Sequence, residues 1–215
     1  MSGHDTPAAE AAPPAHPLAV ELGAMLAGET GPRLLMLGIG NGRNVAPFVR
    51  SGVRVDAVEE DSARARDASL RFEGNARIRI ARADYAGPYP YAGTYSGALS
   101  TSALLHGTPA SLRAALAAVH LRLKRGAPLF ATFGSTRDPR FGTGRRIDES
   151  TFAPDRGDEA GVPHAFFDEA RLRALLVDFG DLDVGESSAA QTVGRWAHPS
   201  DSTEGIVHWF VRARA

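Results

Sequence analysis

The chain has 215 residues, 43 % of them apolar, with 24 Lys and Arg against 25 Asp and Glu and a formal charge of −1. That suits one domain with a real core and gives no general support for a nucleic-acid or membrane-surface partner. The absence of cysteine excludes a disulfide framework, thiolate metal sites and a cysteine nucleophile. There is also no apolar run of transmembrane length and no signal-peptide pattern, so a cytoplasmic protein is the default expectation.

Residues 1–16 (MSGHDTPAAEAAPPAH) are rich in Ala and Pro and poor in large apolar side chains. A disordered tail is expected there, with His4 and His16 incidental. Pro17 suits the first turn of a helix whose Leu18, Leu22, Met25 and Leu26 share one face. This helix is expected to cross the sheet edge or cap a cleft. Arg33 to Leu37 is a short apolar run, the mark of a buried strand, and Gly38, Gly40 and Gly42 follow it at spacing G-x-G-x-G. A helical pattern with Val45, Phe48 and Val49 then runs to Gly52, and a second strand, Val53 to Val58, ends on Glu59. The result is half of a nucleotide-binding βαβ unit. Its glycines permit a tight turn against a ligand, and a carboxylate at the strand tip accepts two hydrogen bonds side by side, as a ribose diol requires.

Asp61 or Ser62 caps an Arg-rich helix to about Phe72, read as a solvated face. Ala76 to Ala81 alternates as a third strand, with Asp84 and Tyr85 after it, and Tyr95 to Ser100 is a fourth. Thr108 and Pro109 open a helix with Leu112, Leu116, Val119 and Leu123 on its buried stripe, closed by Gly126. Pro128 to Phe133 is a fifth strand. The stretch 134–163 is then expected to be a long loop, of the kind that serves as a lid or binding loop. Asp168 begins a helix through Phe179, Leu182 to Ala189 gives a sixth strand, and Glu204 to Arg214 a buried seventh.

Strands alternating with helices predict a doubly wound α/β sheet of seven mostly parallel strands, the last antiparallel, with helices on both faces. Residues 17–215 form the single domain. Ligands of such sheets bind outside the carboxyl ends of the strands, where the glycine turn, Glu59, Asp84 and Ser100 all fall. A dinucleotide fingerprint wants a third glycine where Arg43 stands, which argues against NAD and FAD.

Glycine turn, Glu59 and Asp84–Tyr85, in that order, resemble the class I S-adenosylmethionine-dependent methyltransferases. Gly40 to Asn44 and Pro163 to Glu169 look like the tellurite-resistance-type branch. The resemblance covers residues 18–215 and implies S-adenosylmethionine as cofactor. By it, Gly38, Gly40, Asn41 and Gly42 wrap the methionyl part, Glu59 holds the ribose, Asp84 accepts from the adenine amine with Tyr85 beside the ring, and Ser100 and Thr101 line the reacting centre. Two positions depart from the family: Met36 stands where an acid helps hold the ammonium end, and Ser96 where Asp often follows the aromatic residue of the fourth strand. The implied activity is methyl transfer to a small molecule, and the alternative is a protein of this fold that binds ligand without transfer.

Methyl transfer from a sulfonium needs alignment and a dry site, and a protonated acceptor also needs a base. His106, His164 and Tyr85 are the candidates, while His120, His198 and His208 read as structural. Arg137, Arg140, Arg145 and Arg146 suggest an anionic or polar acceptor under the loop. Asp138, Asp148 and Glu149 match no ligand spacing, so no metal is expected.

Overall fold

The computed structural model describes residues 14–188 and 205–215. Residues 1–13, with His4, lie outside it, as do His198 and the expected strand ends Ala189 and Glu204. In chain order the elements are α1 (Pro17–Leu26), β1 (Arg33–Leu37), α2 (Ala46–Arg50), β2 (Arg54–Glu59), α3 (Ser62–Arg71), β3 (Ile78–Arg82) and β4 (Gly97–Ser100). A single 3-10 turn (Ala103–Leu105), α4 (Pro109–His120), β5 (Pro128–Ser135), β6 (Arg145–Arg146), β7 (Thr151–Ala153) and β8 (His164–Phe167) follow. The chain finishes with α5 (Glu169–Leu175), β9 (Gly180–Ser188) and β10 (Val207–Arg214).

Five strands lie parallel in the order β3-β2-β1-β4-β5. β10 runs antiparallel along the next edge of β5, and β9 antiparallel along β10. This is the expected sheet of seven with its last strand reversed. Alternation along β1 divides the core. Leu35 and Leu37 join the face covered by α4 and α5, while Leu34 and Met36 join the face covered by α1 and α2. No helix of the described residues is long and apolar enough to cross a membrane.

The stretch expected as one long loop is more ordered than its glycines and charges suggest. β6, β7 and β8 form a small antiparallel ribbon within and just after it. β7 and β8 are three and four residues long and buried at every position, so they carry no alternation to read. β8 also pairs parallel to β5 at Gly134 and Ser135. Because β10 holds the other edge of β5 as far as Gly134, β8 takes the edge that β4 leaves at Ala131.

α1 packs on α2 and over the central strands β4 and β5, not across an edge. Its buried face is Leu18, Ala19, Leu22, Gly23 and Leu26, and Met25 is exposed. Gly23 explains the rotation: a Cβ there would stand 3.3 Å from Pro47 of α2, so the helix turns its smallest side toward that contact. His16, expected in the tail, is buried and caps α1, its Nδ1 accepting from Leu18 N at 3.1 Å.

Candidate functional site

β1 hands its ladder to the glycine turn, where Gly38 N donates to Val58 O at 2.9 Å. Gly38 has φ +74°, and a Cβ there would stand 2.6 Å from that of Ala103 and 3.3 Å from Tyr85 Oη. Gly42 is closed off in the same way by the Phe72 ring, 2.6 Å from where its Cβ would be. Between them Gly40 is exposed and would meet nothing within 4 Å. The turn is thus packed at both ends and open at its middle. Asn41 is exposed at its tip, with Oδ1 accepting from Arg43 N at 3.2 Å.

Glu59 ends β2 beneath this opening, only 3 % exposed. Its Oε2 accepts from Gly40 N at 3.4 Å, and its Oε1 from Asp61 N and from Tyr85 Oη, both at 3.2 Å. Tyr85 therefore lies against the acid itself. Burial, then the charges of Glu59 and Glu60, hold its phenol well above the ordinary value. Tyr85 N donates to Glu60 Oε1 at 2.9 Å, and burial raises the Glu60 carboxyl above its ordinary value. Asp84 is exposed and turns back on its own loop, accepting from Ala86 N at 2.7 Å.

At the end of β4, Ser100 Oγ accepts from Leu104 N at 3.3 Å and Thr101 Oγ1 from Asn44 Nδ2 at 2.7 Å. Asn44 Oδ1 accepts in turn from His16 N at 2.8 Å. A thread of hydrogen bonds so joins the start of α1 to the strand end beside the glycine turn. Burial first, then the Arg43 charge, lowers His16 to about 3. Ser102 has φ +71°, a left-handed conformation unusual outside glycine and common at working sites, and its N–H donates to Thr132 Oγ1 at 2.9 Å.

The chain then delivers His106 onto the returning ribbon. His106 and His164 form a bridge, with Gly107 N donating to Pro163 O at 2.8 Å, and their rings meet edge to face at 4.8 Å. Glu159 lies between them, Oε1 3.2 Å from His106 Nε2 and Oε2 2.8 Å from His164 Nε2. Of the three residues proposed as bases, two are thus brought together and the third sits on Glu59.

No protein-family model and no curated protein matches the sequence. Solved structures do match its shape. A methyltransferase from Mesorhizobium loti is similar with a TM-score of 0.65 at 19 % identity, over 91 % of this chain and 96 % of that one. A second, from Methanosarcina mazei, gives 0.65 at 16 % identity over 86 % and 93 %. The 1,6-didemethyltoxoflavin-N1-methyltransferase of Burkholderia thailandensis, solved with 1,6-didemethyltoxoflavin and S-adenosylhomocysteine, gives 0.63 at 20 % over 93 % and 78 %. The fold is that of the class I S-adenosylmethionine-dependent methyltransferases.

Within this methyltransferase fold the two departures have different weights. Ser96 lies at the start of β4, the end remote from the glycine turn, where it accepts from Lys124 Nζ at 2.9 Å. Met36 is 1 % exposed in the core shared with α1 and α2. The loop arginines mostly have protein partners. Arg140 pairs with the buried Asp138 at 2.8 Å, Arg137 with Glu186, and Arg146 donates to the Asp148 carbonyl at 2.9 Å. Arg140 also reaches His208, which burial and then that charge lower to about 4. Asn44 and Glu159 were not singled out in the sequence. In the sequence Asn44 is visible only as the end of the Gly40–Asn44 run, and Glu159 only as an acid five residues before His164.

Proposed function

We propose that the chain binds S-adenosylmethionine over the Gly38–Gly42 turn and transfers its methyl group to a small polar acceptor. One observation carries the reading: a buried carboxylate, Glu59, at the tip of β2 directly under a turn that is open at Gly40. The residues fit the cofactor. Glu59 has lone pairs to share with a ribose diol once the Tyr85 hydroxyl yields or moves aside. In this reading Gly38, Gly40, Asn41 and Gly42 hold the methionyl arm, Asp84 the adenine amine, and Ser100 and Thr101 line the reacting centre.

Bound there, the cofactor supplies an electrophilic methyl on a sulfonium. The protein then has to orient the acceptor, exclude water and accept a proton. The side where His106 and His164 meet Glu159 suits the last task. Tyr85 does not, since its hydroxyl is already engaged and its phenol is held protonated. The small acceptor is supported by the near-zero charge, which lacks a phosphate-binding footprint. The protein-bound loop arginines favour a polar acceptor over an anionic one. The finer likeness to the tellurite-resistance-type branch rests on the Gly40–Asn44 and Pro163–Glu169 motifs alone.

Calorimetric titration with S-adenosylhomocysteine tests the binding half, with no heat at millimolar ligand refuting it. Glu59→Gln should weaken binding by about 1–3 kcal/mol, the cost of losing a charged hydrogen-bond partner. The second reading, binding without transfer, is favoured by Met36, which offers the ammonium end no charge, and by Tyr85 on Glu59. Sustained formation of S-adenosylhomocysteine from the methyl donor with mixed small acceptors excludes it.

A further inference from the structure

His106, Glu159 and His164 each direct one ligand-type atom to a common point, all within 4.8 Å of one another. His164 fixes the chemistry of that point. Its Nδ1 lies 2.8 Å from the carbonyl oxygen of Val162, which can only accept, so the ring proton is on Nδ1. Nε2 then faces the Glu159 carboxylate 2.8 Å away, a contact that needs a positive centre between the two, either a second ring proton or a metal ion. His106 Nε2 approaches the other oxygen of the same carboxylate at 3.2 Å.

We propose that these three residues bind a first-row divalent cation of the zinc type. Two imidazoles and a carboxylate are a suitable donor set for it. Around a tetrahedral zinc with bonds of about 2.0–2.1 Å the ligand atoms stand about 3.3 Å apart. Here one carboxylate oxygen is 3.2 Å from His106, the other is 2.8 Å from His164, and the three donors lie within 4.8 Å of one another, so rotation of the partly exposed Glu159 and His106 side chains has to close the set around the ion. The Val162 carbonyl supplies the outer hydrogen bond that orients a metal-binding imidazole. His106 and Glu159 are 24 % and 17 % exposed at the side chain against 4 % for His164, so a fourth ligand would approach from their side. That ligand would be water or an oxygen or nitrogen of a small acceptor. With a cation in place the two histidines hold the metal instead of a proton.

The backbone around the trio is built independently of any metal. The His106–His164 bridge and the Gly107 to Pro163 hydrogen bond place both rings, and β8 is anchored on β5. The site goes beyond the methyl-transfer reading and does not depend on it, because each readout below is taken without cofactor or acceptor.

The test uses the untagged full chain, stripped with a chelator and titrated with Zn2+ or Co2+. One metal per chain by elemental analysis, four-coordinate Co2+ d–d absorption, and a rise in Tm with added Zn2+ are the expected results. His106→Ala and Glu159→Gln lie at the exposed side of the trio, and the Gln amide can still bond to His164, so the stripped variants should melt like the stripped parent. Each should weaken Zn2+ binding by more than about 100-fold, beyond the loss of an outer-sphere partner. Metal content well below one per chain at micromolar Zn2+ overturns the proposal, as does full affinity retained in either variant. In that event the trio is a hydrogen-bonded His–Glu–His pairing, whatever the titration with S-adenosylhomocysteine shows.

Discussion

At the scale of single residues, the contact between Tyr85 and Glu59 makes the sharpest prediction. The phenol donates to the carboxylate that is assigned to the ribose, so ligand and side chain compete for one acceptor. Tyr85→Phe removes the competitor and keeps the buried ring. It should tighten S-adenosylhomocysteine binding by roughly 2- to 10-fold, the net value of one such hydrogen bond, as read by calorimetry. Weaker binding would mean instead that the hydroxyl stays and serves as a partner of the ligand. The sequence placed Glu59 and Tyr85 at neighbouring strand tips, because both follow local apolar runs. It could not show that one lies on the other across the sheet, since that contact depends on how far the connector after β3 folds back. The same holds for Asn44, whose two hydrogen bonds reach His16 and Thr101 at distant points of the chain.

At the scale of elements, the joint between β5 and β8 is the sensitive one. A Cβ on Gly134 would stand 2.5 Å from the Ala165 carbonyl oxygen, inside the strand pairing. Gly134→Ala should therefore push β8 away at a cost of about 1–3 kcal/mol, visible as a lower Tm, and displace His164 with it. Turnover and metal affinity should fall together, while cofactor affinity, set on the β1–β2 side, should change little. Deleting Thr143 to Asp148 removes β6 and the tip of the ribbon but not β7 or β8. It too should leave S-adenosylhomocysteine binding near that of the parent and abolish turnover. A collapse of cofactor affinity would make the ribbon a cofactor lid.

Most of the seven principal strands were legible as apolar runs stopped by Gly, Pro or a charge, and β3 by its alternation. The ribbon was not, because its strands are too short for a period to show. His106 and Glu159 are 53 residues apart, and the bridge between His106 and His164 brings them within reach of each other. Each histidine was visible singly as a loop residue near a strand end, but the acid between them was not.

At the scale of the whole molecule, buried histidines link stability to pH. His16 is lowered to about 3, chiefly by burial, whereas an unfolded histidine titrates near about 6.5. Between those values the unfolded chain takes up a proton that the folded chain refuses. Folding carries no penalty from His16 above about pH 6.5 and a growing one as pH falls toward 3. Melting temperatures from pH 7 to pH 4.5 should drop less steeply in His16→Asn, which keeps a capping acceptor and loses the titrating ring. His208, lowered to about 4, adds a penalty of the same sign, so the slope should lessen without vanishing. An unchanged slope would place the acid sensitivity elsewhere.

The central strand has a further consequence, for how the molecule opens. β5 is buried at all eight positions and is bonded to β4 and β8 along one edge and to β10 along the other. The acceptor side of the proposed site therefore hangs on a strand that can be released only when the sheet comes apart. Its amides should exchange with solvent deuterium only through global unfolding, and the amides of Phe166 and Phe167 should follow the same slow class. β6, exposed at both residues, should exchange far faster through local fraying. That exchange pattern would make the acceptor side a fixed floor beneath a loose rim, with the ribbon tip moving to admit a ligand and the residues beneath it already assembled.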